Sequence, residues 1–356
     1  MRVNRWIGIF TAIGCAGAGL LTAGCPKGAP GASGQAAGTP TGLRAALAID
    51  TGGVDDKSFN AASWAGLQRA GTELNLGPDG VKYVEAHEVS DYGTVLSAFA
   101  TQNYGLVIAG SYSFADALKD VAPQFPAVKF AIIDADAPDL PNCESLQFRS
   151  QEAAFLAGYV AARVSKTGTI GFVGGKEGPL IATFLSGYTA GARTASPNVR
   201  VLATYAGAWD DVSKGKSQAT QQFASGADVV LHVAGKTGLG VIEAAKEKGP
   251  GFYAIGCDQD QDGIAPGNVL TSVLKRVDVA VADTVKRTKA GQFTPGKRVY
   301  GLKDGGVGIT EMKYSKASLP PGTADRLAKL SALIIAGKIV PPTTDDALAG
   351  FQPPKL

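Results

Sequence analysis

From residue 43 onward, short apolar runs alternate with stretches in which apolar side chains recur every three or four positions. The runs are too short for helices and are bounded by Gly, Asp and Pro, which marks them as buried strands. They predict strands at 43–49, 82–85, 106–109, 129–133, 169–173, 200–205, 229–233, 252–256 and 269–273. The helical-period stretches predict helices at 63–74, 114–122, 152–164, 181–195, 214–225, 239–248 and 278–290. One more is predicted at 324–335, before a Pro-rich end. Alternation of strand and helix argues for βαβ units, hence an α/β fold of parallel sheets with helices on both faces.

The pattern also echoes itself. Leu106-Val-Ile-Ala-Gly110, a helix, and Phe130-Ala-Ile-Ile-Asp134-Ala-Asp136 form one unit. Val230-Leu-His-Val-Ala-Gly235, a helix, and Tyr253-Ala-Ile-Gly-Cys-Asp258-Gln-Asp260 form the other. Each ends in Asp-x-Asp at the carboxyl end of a strand, where open α/β sheets bind ligands. The echo predicts two similar lobes facing each other across a cleft.

The stretch around which the rest is arranged runs from the first strand through Asp50-Thr-Gly-Gly-Val-Asp-Asp-Lys-Ser58-Phe59-Asn60 into a helix carrying Trp64, Leu67 and Ala70. It crowds a carboxylate, a hydroxyl, an aromatic face and an amide around one helix start. Ser58 or Asp56 is the expected N-cap. Asp50, Phe59 and Asn60 are candidate ligand contacts.

Further along, Gly235-Lys236-Thr237 resembles the end of a phosphate loop, but that motif needs Gly at position 230, which is Val230. Gly238-Leu-Gly-Val-Ile-Glu243 has Glu where a dinucleotide fingerprint needs its third Gly. What remains is a glycine turn opening a helix, with N–H groups free for a ligand oxygen. Asp134, Asp136, Asp258 and Asp260 could be acids, metal ligands or hydroxyl acceptors; an Asp accepting both vicinal hydroxyls of a ribose is the simplest account. Trp209 is either a wall of the pocket or a packing aromatic. His232 falls on a strand and reads as a core histidine.

Composition narrows the function classes. The 356 residues hold two His and four Cys, so neither metal-dependent nor Cys/His catalysis has material to work with. No metal, cofactor or enzymatic activity is expected. A net charge of +3 is too small to argue for nucleic acid or an anionic membrane surface. Cys143 and Cys257 fall on different predicted lobes and are expected to be free. At the N-terminus, Arg2 and Arg5, an apolar run at 6–21 and Thr22-Ala23-Gly24-Cys25 read as a secretory signal over 1–24. Residues 25–42, rich in Gly, Ala, Pro, Ser and Thr, read as a flexible linker with a reach of roughly 20 Å.

These motifs together resemble the basic membrane protein family. The likeness begins with D-T-G-G-V-D-D-K-S-F-N at 50–60, G-S-Y-S-F at 110–114 and F-A-I-I-D at 130–134. It continues with Q-E-A-A-F-L-A-G at 151–158, G-F-V-G-G at 171–175 and V-A-G-K-T-G-L-G-V at 233–241. It ends with G-C-D-Q-D-Q at 256–261, V-L-T-S-V-L-K at 269–275 and Y-G-L-K-D-G-G-V-G at 300–308. The resemblance implies a type I periplasmic-binding-protein fold: two Rossmann-like lobes joined by a three-crossover hinge. Lobe 1 would span 43–148 plus about 276–299, and lobe 2 would span 149–275 plus about 300–356. It implies a monomeric surface lipoprotein, acylated at Cys25 and facing the periplasm or exterior. That protein would hand a nucleoside, a purine by preference, to the permease and ATPase of an ABC importer. A sugar-like ligand or a sensing role is the alternative. In the family, the residues matching Asp258, Lys275 and Gly235 hold the ribose, those matching Asp134 and Asn60 contact the base edge, and the one matching Phe59 stacks on the base. Leu231 stands where relatives carry an aromatic, which leaves the second wall of the pocket open. Thr22 also departs from the Leu usual three positions before a lipidated Cys.

Overall fold

The computed structural model describes residues 42–354, so the signal, Cys25 and nearly all of the linker lie outside the described residues. Two six-stranded sheets form the frame. The first contains β1 (Ala45–Ile49), β2 (Val81–Glu85), β3 (Leu106–Ala109), β4 (Lys129–Ile133), β5 (Cys143–Phe148) and, from much later in the chain, β11 (Gly296–Tyr300). The second contains β6 (Thr169–Gly174), β7 (Arg200–Tyr205), β8 (Val229–Val233), β9 (Tyr253–Asp258), β10 (Val269–Lys275) and β12 (Val307–Ile309).

Their spatial orders, β2-β1-β3-β4-β5-β11 and β7-β6-β8-β9-β10-β12, are the same topology built twice. All neighbours are parallel except β12, which runs antiparallel to β10. Ten helices flank the sheets among the described residues: α1 (Phe59–Glu73), α2 (Tyr92–Thr101), α3 (Ala115–Val121), α4 (Ser150–Val164), α5 (Pro179–Ala195), α6 (Val212–Ala224), α7 (Gly238–Lys248), α8 (Val277–Lys289), α9 (Thr323–Ile335) and α10 (Asp345–Gly350).

The central strands are buried on both faces. All five residues of β1 and all four of β3 have no exposed surface, and each sheet carries a separate apolar cluster on each face. Such strands read as unbroken apolar runs because helices cover both sides. In each sheet the strand order reverses beside the first strand, at β1/β3 and at β6/β8. A crevice opens there at the carboxyl ends.

The chain passes between the sheets three times, after β5, after β10 and after β11. The crossings lie side by side: Arg149 N–H donates to Tyr300 O at 2.8 Å, and the Phe148 and Tyr300 rings stack at 5.2 Å. After the second crossing, α8 packs on α1, where Arg69 meets Asp278 at 3.1 Å.

Three strands and two helices, α2 and the six-residue α10, escape the sequence pattern. β5 contains Glu144, Ser145 and Gln147, yet Glu144 is 1% exposed because Arg287 and Arg298 pair with it. β11, Gly-Lys-Arg-Val-Tyr, has the charged character of an edge strand. β12 is only three residues long. α2 is rich in small and β-branched residues of weak helix propensity. The first helix starts at Phe59 rather than 63, which puts Phe59 and Asn60 in its first turn. β11 runs through Tyr300, one residue past the boundary expected for the first lobe.

Candidate ligand-binding cleft

A cavity with an empty volume of about 610 Å³ lies where the carboxyl ends of the two sheets meet. All eight residues named from the sequence line it: Asp50, Phe59, Asn60, Asp134, Trp209, Gly235, Asp258 and Lys275. Each stands at the carboxyl end of a strand or in the loop or helix start that follows, as the switch-point topology requires.

The loop after β1 is shaped by its glycines and by one carboxylate. Asp56, 2% exposed, accepts N–H bonds from Ser58, Asn60 and Ala61, each at 2.9 Å, and so caps α1. Burial raises its pKa to about 6, partly offset by those N–H groups. Ser58 stands at the N-cap position but makes no capping bond with its side chain. Asn60 donates from Nδ2 to Thr51 O at 3.5 Å, while its buried Oδ1 has no partner. Asp50 accepts from Ser111 Oγ at 2.7 Å and Ser113 Oγ at 3.2 Å. Burial pushes its pKa up, against the pull of those two hydroxyls.

Asp134 and Asp258, the echoed acids, both adopt left-handed backbone, φ 63° and 70°. That region is uncommon for a non-Gly residue and marks a functional constraint more often than chance. Each acid is met from the opposite lobe: Asp134 by the Lys275 ammonium, and Asp258 by Ser58 Oγ at 2.5 Å. Burial raises the Asp258 carboxyl pKa, opposed first by the charge of Lys275 and then by Ser58. The second acids of each pair do not reach the cavity. Asp136 is exposed and held below its usual range by Lys297 at 2.6 Å, and Asp260 accepts from Asp262 N–H at 3.0 Å.

Aromatic and aliphatic groups close the remaining sides. Phe59 contributes from α1, while Leu180, Ile181 and Phe184 contribute from the first two turns of α5. Trp209 faces in from the loop after β7, and its indole rests on Gly175, where a Cβ would fall 2.2 Å from the ring. The glycine turn holds that loop. Thr237 N–H donates to Trp209 O at 3.0 Å, and Thr237 Oγ1 donates to Ala208 O at 3.2 Å. Gly235 itself needs φ +55°. The Thr237 N–H, expected to be free for a ligand, is therefore spent on positioning Trp209.

Several lining residues were not named as ligand contacts from the sequence: Ser111, Tyr112, Phe184, the two aliphatics beside it, and Asp56, which was expected only as a helix cap. Phe184 falls at helical spacing between Ile181 and Tyr188 and reads as core. The available signal was its place near a helix start after G-F-V-G-G, at the second switch point. Leu231 is fully buried in the core, so the second aromatic side of the cavity comes from Phe184 and Trp209 instead. His232 is a fully buried core residue. Cys143 and Cys257 are free, buried thiols on different sheets. No group of His, Cys, Asp and Glu among the described residues could hold a metal ion.

Comparison with known proteins places this architecture. The family model described as Bmp, ABC transporter substrate-binding protein PnrA-like, matches residues 44–341. The chain is 37% identical over 332 residues to the ABC transporter nucleoside-binding protein BmpA of Lactococcus lactis, covering 88% of this chain and 92% of that one. It is 36% identical over 344 residues to basic membrane protein A1 of Borrelia garinii, covering 95% of each. Among solved structures, an ABC transporter solute-binding protein from Aeropyrum pernix superposes with a TM-score of 0.77 at 30% identity, covering 86% of this chain and 96% of that one. A two-lobed fold, a cleft lined by both lobes and a match across the whole body lead to one conclusion: the chain belongs to the Bmp family of PnrA-like ABC transporter substrate-binding proteins, a family of binders and not of enzymes.

Proposed function

We propose that this protein captures a nucleoside, a purine by preference, between its lobes and delivers it to the permease and ATPase of an ABC importer. The observation that carries the reading is a cavity lined by aromatic rings from both lobes and by Asn60, whose buried Oδ1 has no hydrogen-bond partner. A planar base that donates an N–H supplies what both features lack, a stacking face and a hydrogen bond. Asp134 completes the base edge with Asn60. Asp258 accepts the ribose hydroxyls, Lys275 donates to the same sugar and Gly235 lets the backbone come close. Asp50 forms the polar floor, Phe59 stacks on one side of the base, and Trp209 with Phe184 covers the other. The name of the Lactococcus relative, a nucleoside-binding protein, supports the same class of ligand.

The reading extends to the N-terminus. Residues 1–24 direct export, Cys25 is acylated, and 25–42 tether a monomeric body whose lobes divide near residues 148, 275 and 300. No helix among the described residues is long and apolar enough to cross a membrane.

The ligand class is tested by thermal unfolding of residues 43–356 with adenosine, guanosine, uridine, adenine, ribose and glucose. A ligand at a hundred times its Kd adds about 2.7 kcal/mol, a rise in midpoint of about 5 °C. Adenosine or guanosine should give it. A rise with ribose or glucose and none with nucleosides would overturn the reading in favour of a sugar.

A further inference from the structure

Ser58 occupies the N-cap position of α1, where a Ser hydroxyl ordinarily accepts a helix N–H. Here Asp56 takes the N–H groups of Ser58, Asn60 and Ala61, and the Ser58 side chain has no capping role. Its hydroxyl is fully buried and must find another partner. It crosses to the second lobe. Asp258 Oδ2 lies at 2.5 Å and Cys257 O at 3.4 Å. A hydroxyl has one proton to give, and the shorter, charge-assisted contact to the carboxylate takes it.

The surrounding contacts hold the same two loops together. Gln259 Nε2 donates to Ser58 O at 2.9 Å, and Gln261 Nε2 donates to Lys57 O at 2.8 Å. Gln261 is fixed in turn, its Oε1 accepting from Cys257 N–H at 3.0 Å and from His232 Nε2 at 2.8 Å. Ser58 is thus presented to Asp258 by a braced loop, and the bond exists only while the lobes are together.

We infer that Ser58 is a positioning residue for sugar recognition: when the lobes close, its hydroxyl locks one oxygen of Asp258 and leaves the other turned to the ligand's vicinal hydroxyls. This rests on the nucleoside reading above. Affinity for the sugar is then conditional on closure. A carboxylate in the open cleft, free to rotate and hydrated, holds a diol less well than one fixed across the interface. The residue acts through Asp258, so its loss should matter only for ligands that Asp258 can hold.

The experiment is calorimetry with adenosine and with 2′,3′-dideoxyadenosine, which keeps the base and sugar ring but lacks the diol. Ser58→Ala should weaken adenosine about ten- to a hundredfold, the worth of one hydrogen bond to a charged group. It should change dideoxyadenosine by less than about twofold, and Ser58→Thr should restore adenosine binding. Adding Ser58→Ala to Asp258→Asn should cost nothing further. If Ser58→Ala fails to fold, Ser58→Cys keeps the size with a weak donor and is read the same way. Unchanged adenosine binding, or equal loss for both ligands, overturns the positioning role and leaves the nucleoside reading intact. Wild-type protein that binds neither adenosine nor guanosine overturns both.

Discussion

Lys275 is the cation on which the acidic cleft depends, and replacing it by Met puts a number on that dependence. Its side chain is 3% exposed and pairs with Asp134, itself 4% exposed, on the opposite lobe. Its ammonium also lies 4.9 Å from the Phe59 ring and 5.1 Å from the Phe148 ring, and its charge holds down the Asp258 carboxyl. Met keeps most of the stem and removes the charge, leaving two buried carboxylates without a counter-ion. Breaking a buried pair from one side costs about 3–5 kcal/mol. Asp134 borders the cleft and can rehydrate when the lobes part, so the lower end, about 3 kcal/mol, is expected. The two cation–π contacts account for about 1 kcal/mol of that. Urea denaturation at pH 7 should show the midpoint falling with the slope unchanged. Adding Asp134→Asn should recover about half of the loss, since the stranded charge is then gone as well. Adenosine affinity should fall more than about tenfold in Lys275→Met. A variant that unfolds at the wild-type urea concentration would refute the reasoning, as would a double variant no better than the single one.

His232 carries the pH dependence. Burial pushes its pKa down to about 4, against the hydrogen bond to Gln261, and its Nδ1 is buried without a partner. Because the folded value lies below the unfolded one, its contribution is intact above about pH 6.5 and is lost as pH falls toward 4, by up to about 3 kcal/mol. Asp50, Asp56 and Asp258 have raised values and work in the opposite sense. The comparison must therefore be between His232→Gln and wild type, and a urea series from pH 7 to 4 should show the smaller decline in the variant; parallel declines would sink the assignment. For the anchor, full-length protein made in a bacterial host should incorporate labelled fatty acid and Cys25→Ser should not; an unlabelled wild type would remove the lipid tether.

Most of the frame is legible in the sequence because parallel strands buried on both faces leave a plain mark. β1 and β3 are uninterrupted apolar runs, β4 is one after Lys129, β8 is broken only by His232, and the echo between 106–136 and 230–260 gives away the duplication. What the pattern hides is whatever is stabilised from far along the chain. β5 looks too polar for a central strand until Arg287, 143 positions later, neutralises Glu144. β11 looks like surface because it is an edge.

The same division runs through the cleft. Residues at strand ends, such as Asp50, Asp134, Asp258 and Lys275, are found from the sequence because topology alone sends them to one place. Which atom meets which is another matter. Ser58 carries every local sign of an N-cap, and only the arrival of Asp258, 200 positions on, turns its hydroxyl to a different use. Local grammar assigns a side chain to the nearest backbone group that wants it. Once Asp56 had met that need three times over, Ser58 was free to be recruited across the cleft. A substrate-binding protein that works by bringing two lobes together needs such released groups at its rim, because a contact completed only on closure is what ties the position of the lobes to the presence of the ligand.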